Sequence, residues 1–218
     1  MTYKLVIFDF DGTLADSFPW FLSVFNTVAE RYRFTRVEEH EGATLRGYSA
    51  RQIVRHLGVP RWKLPLIARH ARSLARRDRA QIALFPGVDR MLAQLAEAGI
   101  TLAVVSSNSE STVRHVLGQE NAARITSYAC GGSIFGKRAH FRRVLKRSGV
   151  RPQDALCIGD EIRDYEAATA AGIPFGAVAW GYTTIEALQA QAPAAMFWHV
   201  EDIVERLTCP TTCGRISG

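Results

Sequence analysis

Lys4-Leu5-Val6-Ile7-Phe8-Asp9-Phe10-Asp11-Gly12-Thr13-Leu14-Ala15-Asp16, near the start of this 218-residue chain, sets two carboxylates directly after an apolar run. Its apolar run reads as a strand buried on both faces, the pattern of a parallel sheet covered by helices. A carboxylate left unpaired inside such a strand costs several kcal/mol, so Asp9 and Asp11 belong at the strand's end, with something cationic opposite them.

Past Leu14 the period changes. Phe18, Phe21, Leu22, Phe25, Val28 and Ala29 recur at helical spacing as far as Tyr32. Helical signals persist to about Asp78. Ser49 is a natural N-cap for a helix ending at Gly58, residues 63–79 form a basic amphipathic run, and no strand is expected among them. From Leu84-Phe85-Pro86-Gly87 onward, strands and helices alternate. Helix 88–98 leads to strand 101–105, strand 125–130 to helix 138–148, and strand 155–158 to helix 164–171. Strand 175–180, helix 184–191, strand 196–198 and helix 202–207 follow. This alternation predicts an α/β fold with a doubly wound parallel sheet, to which the first strand also belongs. The core domain is expected over 1–14 and 84–218, with 15–83 an inserted all-α cap and Pro86-Gly87 the hinge back.

Composition agrees with a globular chain: 47% of residues are hydrophobic. The longest uncharged stretch near the N-terminus, Ser17 to Ala29, is too short to span a bilayer, and the residues before it carry Asp9, Asp11 and Asp16 where a signal peptide would be basic and apolar. A cytoplasmic location with no membrane partner is expected. Cys130 and Cys157 read as buried thiols, and Cys209 and Cys213 as part of a flexible tail. The net charge of +6 is uneven. Residues 15–83 hold 13 Lys and Arg against 6 Asp and Glu, leaving 14 against 15 elsewhere.

In an open parallel sheet, functional groups gather where the strands end. The polar residues in those places are Asp9 and Asp11, then Ser106-Ser107-Asn108, then Lys137 ahead of its helix, then Gly159-Asp160-Glu161-Ile162-Arg163-Asp164. Together they supply a carboxylate cluster, a fixed cation and hydroxyl or N–H donors, the inventory a phosphoryl group requires. Asp9, Asp11 and Asp160 would drive one another to protonate unless a cation sat among them. A donor set of oxygens, with no His or Cys among these residues, suits Mg²⁺.

The ordered set DFDGT, VVSSN, Lys137 and GDEIRD resembles the haloacid dehalogenase superfamily. The helical cap and the later FPGV and VAWGY segments are similar to its phosphoglycolate phosphatase-like branch. That resemblance implies a Rossmann-like core and a Mg²⁺-dependent phosphatase acting on a small phosphorylated metabolite, phosphoglycolate or another small anionic phosphoester. It implies that Asp9 attacks phosphorus to give an aspartyl-phosphate and that Asp11 serves as acid and then base. Ser106 would hold a phosphoryl oxygen and Lys137 would neutralise the phosphate and restrain Asp9. Thr13, Ser107 and Asn108 would contact substrate. Asp9, the Asp11 carbonyl and Asp160 would bind the metal directly and Asp164 indirectly, with Glu161 left open. Arg163 is expected to face solvent. The basic balance of the cap nominates Arg46 to read an anionic leaving group.

Two other readings compete. Leu45-Arg46-Gly47-Tyr48-Ser49-Ala50-Arg51 partly resembles sugar-phosphate mutases, whose pattern places Arg after the Ser where Ala50 stands here. The Arg-rich run 69–79 with Trp62 suggests nucleic acid, disfavoured because no stacking array accompanies the charges. Oligomeric state is not legible.

Overall fold

A computed structural model describes residues 3–38, 41, 45–131 and 136–208. In chain order these form strand β1 (Leu5–Phe8), the two-residue β2 (Ala15–Asp16), helices α1 (Phe18–Tyr32), α2 (Ala50–His56) and α3 (Leu64–Arg77), and the two-residue β3 (Ala83–Leu84). Then come α4 (Val88–Glu97), β4 (Thr101–Ser106), α5 (Glu110–Arg124), β5 (Ile125–Cys130), α6 (Lys137–Ser148), β6 (Ala155–Gly159), α7 (Ile162–Thr169), β7 (Phe175–Val178), α8 (Ile185–Gln189), β8 (Ala195–Phe197) and α9 (Val200–Thr208).

Six strands pair in parallel in the order β5-β4-β1-β6-β7-β8. All four residues of β1 are fully buried, because consecutive side chains enter different cores. Val6 and Phe8 pack on the face holding Leu92 and Leu95 of α4, whereas Leu5 and Ile7 pack on the face holding Phe141 and Val144 of α6. Each such side chain contributes about 1.5–3 kcal/mol by leaving water. A charge at either parity of β1 would have no wet side to turn to. The chain runs from β1 outward through β4 and β5, then crosses to β6 on the other side, so β1 flanks the switch point where open α/β sheets place ligands.

Between β2 and β3 the described residues are helical or irregular. Helix α2 opens with a reciprocal Ser49–Gln52 capping box. The expectation of no strand in this region needs correction, since Ala15–Asp16 pairs antiparallel with Ala83–Leu84 and ties the two ends of the helical insert together. Two-residue strands are too short to show a period. Helix α5 is a second correction, being absent from the sequence reading. Its apolar spacing is sparse and Gly118, with φ 74° and ψ 168°, breaks it internally. Lys137 is the first residue of α6 rather than ahead of it, and β7 stops at Val178, two residues early. Cys130 and Cys157 are free thiols, the latter buried. Cys209 and Cys213 lie outside the described residues. No helix among the described residues is long and apolar enough to cross a membrane.

Candidate active site

Three neighbouring strands deliver the site. Asp9 follows β1, Ser106 ends β4 and Asp160 follows β6, so the parallel registers β4–β1–β6 bring their carboxyl ends side by side. Lys137, nearly buried at the start of α6, places its ammonium 2.6 Å from Asp9 Oδ2 and 2.5 Å from Asp164 Oδ1. Two carboxylates on this one cation explain how Lys137 tolerates burial. Burial alone would lower the lysine's pKa, but Asp164 and then Asp9 hold it above its ordinary value.

The carboxylates around it divide into two kinds. Burial pushes Asp9 up, yet Lys137 and then Arg163 outweigh that and hold it below the usual carboxylate range. Asp11 rises to about 6, through burial and then the charge of Asp9. Asp164 rises to about 7, through burial and then Asp9. Asp160 is pushed well up by burial and then by Glu161. One aspartate is therefore held ionised while its neighbour two residues on retains a proton more readily, which is how paired carboxylates acquire separate roles.

Asp11 sits in a polar ring. Asn108 Nδ2 donates to both its oxygens, at 3.0 and 2.8 Å, and Ser17 Oγ donates to Oδ1 at 2.8 Å. Ser17 is the N-cap of α1, but its hydroxyl makes no cap bond, being shared between Asp11 and the Tyr182 hydroxyl 2.7 Å away. The first turn of α1 gives up a side-chain cap so that Asp11 can be held. Gly12 has φ +75°, and a Cβ there would run into the Asp160 carboxylate, so glycine is required both by conformation and by close approach.

Thr13 Oγ1 donates to Asp160 Oδ1 at 2.8 Å, so its hydroxyl is turned to the carboxylate cluster. Ser106 Oγ accepts the Asn108 N–H at 3.0 Å, Asn108 is turned to Asp11, and Ser107 lines a cavity that opens beside Asp11. Asp164 Oδ2 accepts the Glu161 N–H at 3.3 Å. Arg46 donates from Nε to the Tyr182 carbonyl at 2.9 Å and from a terminal nitrogen to the Gly181 carbonyl at 2.7 Å, its guanidinium lying over the Phe18 ring. Those bonds join the helical insert to the loop after β7. Arg163 corrects the sequence reading: it does not face solvent, its side chain being 15% exposed and paired with Glu161 at 2.5 Å. As the second residue of α7, it is carried inward with Asp164 rather than outward.

Sequence reasoning missed Tyr182 and Ser17. Tyr182 N–H donates to Asp160 Oδ2 at 2.8 Å, and its ring packs against Phe18. The signal was available, since Trp180-Gly181-Tyr182 follows a buried strand just as Asp9 and Asp160 do.

One oxygen from each of Asp9, Asp160 and Asp164 lies within 4.8 Å of the others, all buried. Around the cluster stand five carboxylates, Asp9, Asp11, Asp160, Glu161 and Asp164, with two cations, Lys137 and Arg163, among the described residues. Asp160 is fully buried with only the Thr13 hydroxyl and Tyr182 N–H as described partners, and no cation. Hard oxygens in charge deficit fit a divalent cation such as Mg²⁺. Beside Asp11 opens a cavity of about 290 Å³, walled by α1, α2 and α3 of the insert and floored by Ser107, Asn108, Glu161 and Arg163.

A doubly wound parallel sheet with charged groups converging at its switch point defines an α/β enzyme of the Rossmann-like class. Residues 6–178 match the family described as haloacid dehalogenase-like hydrolase, and the chain belongs to that family. It is 32% identical over 206 residues to the phosphoglycolate phosphatase of Synechococcus elongatus, covering 94% of this chain and 97% of that protein. It is 30% identical to the tyrosine-protein kinase PtkA of Mycobacterium tuberculosis over 82% of this chain and 63% of that one. A crystal structure from Lactobacillus plantarum superposes with a TM-score of 0.79 at 25% identity, covering 94% of this chain and 99% of that one. The protein is a phosphatase-type enzyme of the family.

Proposed function

We propose that the protein is a Mg²⁺-dependent phosphomonoesterase that works through an aspartyl-phosphate on Asp9. The observation that carries this reading is the contrast between Asp9, kept ionised by Lys137, and Asp11, raised to about 6. Asp9 attacks phosphorus, its carboxylate oxygen forming a bond as the ester oxygen departs. Asp11 supplies the proton that oxygen needs and then receives one from the water that hydrolyses the acyl phosphate, so both aspartates return to their starting states. Asn108 and Ser17 aim Asp11; Lys137 holds Asp9 and the transferring charge; Ser106 offers its hydroxyl to a phosphoryl oxygen. Asp9, Asp160 and the Asp11 carbonyl would hold the metal, with Asp164 behind them. Bound there, Mg²⁺ would offset the carboxylate excess and polarise a phosphoryl oxygen.

The names of the relatives make phosphoglycolate, or a similar small anionic ester, the ester to include first in the assay. The test is release of inorganic phosphate from a panel of esters, with and without Mg²⁺, together with a search for hydroxylamine-sensitive phosphate on Asp9. Turnover surviving exhaustive metal removal, or full activity in Asp9→Asn, would refute it.

A further inference from the structure

We propose that the leaving group this site accepts is uncharged and apolar, at least the size of an aromatic ring, seated in the cavity over Asp11 between α1 and α3. The inference rests on the phosphomonoesterase reading for the reacting end of the substrate and concerns only the other end.

The cavity of about 290 Å³ is continuous with the carboxylate cluster, since Asp11 lines it. Its side toward the cluster is polar, with Asn108, Glu161 and Arg163, and Arg46 and Arg72 line it as well. Phe18, Phe21, Phe25, Leu45, Tyr48 and Ile53 form the walls. Phe21 and its neighbour Leu22, which also lines the cavity, are 37% and 47% exposed, among the larger apolar exposures of the described residues. Opposite them α3 presents Ala68, Ala71 and Ala75, three small side chains one and two turns apart. Bulky residues on one wall facing alanines on the other leave room that the protein itself does not fill.

A two-carbon acid occupying this space would strand its carboxylate among rings, at the cost of its hydration, unless a cation met it. Among the described residues three cations line the cavity. Arg46 is bonded to the Gly181 and Tyr182 carbonyls and Arg163 is paired with Glu161. Arg72 is the third, and it also lines a second groove with Arg69 and Arg76. Carbonyls do not neutralise Arg46, so an anionic leaving group would depend on Arg72 or on the donors Arg46 has left over. An apolar one depends on the walls.

Straight-chain alkyl phosphates separate the two. From ethyl to hexyl the leaving alcohol keeps nearly the same basicity, so the chemistry is constant and only burial changes. The expectation is a rise in kcat/KM of about fourfold for each added methylene until the cavity is full. Hexyl phosphate should then surpass phosphoglycolate, and Ala71→Phe should cut the hexyl-to-ethyl ratio at least tenfold. Hexylphosphonate and ethylphosphonate, which cannot be hydrolysed, report the same preference by calorimetry without turnover. Wild-type protein that turns over no ester but still binds hexylphosphonate more tightly would overturn the phosphomonoesterase reading and support the apolar seat. A flat alkyl series with equal phosphonate affinities would overturn the apolar seat. So would a preference for phosphoglycolate that disappears in Arg72→Ala.

Discussion

Replacing Lys137 with methionine keeps nearly the same side-chain length while deleting the charge on which Asp9 and Asp164 both rest, at 2.6 and 2.5 Å. Two buried charge-assisted contacts of about 1.5–3 kcal/mol each are lost. The carboxylates remain behind, so the expected cost is that of stranding buried charge, about 3–5 kcal/mol. For a chain of this length each kcal/mol moves Tm by about 2–4 °C, giving a fall on the order of 10 °C. The pH dependence carries its own sign. In the wild type, Asp9 is held below its ordinary value, so its stabilising contribution is present above the unfolded pKa and lost as pH falls through the lower folded one. Without the ammonium that contribution disappears, and Asp164, already raised to about 7, moves higher. Acids raised in the fold confer stability at low pH and lose it as pH rises. The deficit of Lys137→Met against wild type should thus be largest near pH 8 and shrink toward pH 5. Lysine itself stays charged throughout, its pKa lying above the ordinary value. Thermal unfolding followed by circular dichroism at both pH values, in chelator, measures this. A variant as stable as wild type at pH 8, or a deficit constant with pH, would refute the reasoning.

The metal-free protein itself should lose stability as pH rises from about 5 to 8, because Asp11, Asp160 and Asp164 all titrate above their unfolded values, and Mg²⁺ should restore Tm most at the upper end; a Tm insensitive to both would show that the cluster is not in charge deficit. Asp11→Asn should slow alkyl phosphates at least a hundredfold more than p-nitrophenyl phosphate, whose leaving group departs with little protonation, and equal losses in kcat would argue against its acid role. Arg46→Ala removes two bonds that join the insert to the Gly181-Tyr182 loop, and Tyr182 in turn holds Asp160. Its kcat/KM should therefore fall about tenfold in parallel on anionic and neutral esters, whereas a loss confined to the anionic ester would make Arg46 a reader of the leaving group.

The parts of this molecule legible in its sequence are those decided by burial along a strand. Leu5 to Phe8, the run ending at Ser106 and the run ending at Gly159 could not bear charge, so the polar residues after them had to emerge together at one edge of the sheet. The same rule reaches Asp9, Ser106 and Asp160, and Tyr182 obeys it too, coming after the buried strand that ends at Val178. Helix α5 was hidden because its apolar residues are thin and Gly118 interrupts them. The β2–β3 ribbon was hidden because two residues have no period. Arg163 was misjudged because a charged residue in the first turn of a helix is usually hydrated. Here that turn begins inside the site, and the guanidinium finds Glu161 instead of water.

What the sequence could not convey was direction. The excess of basic residues in 15–83 suggested cations gathered to meet an anion, but a sum over residues contains no information on where side chains point. Arg46 is turned onto carbonyls, while Arg31, Arg69 and Arg76 line a second groove together with Ser109. The aromatic spacing of α1 has the same ambiguity. Phe18, Phe21, Leu22 and Phe25 at three- and four-residue intervals state only that one helical face avoids water. Whether protein or ligand covers that face depends on the size of what stands across from it. At Ala68, Ala71 and Ala75 the opposing helix is too slight to do so, and those three alanines, unremarked in the sequence, turn what reads as a core stripe into the wall of a cavity.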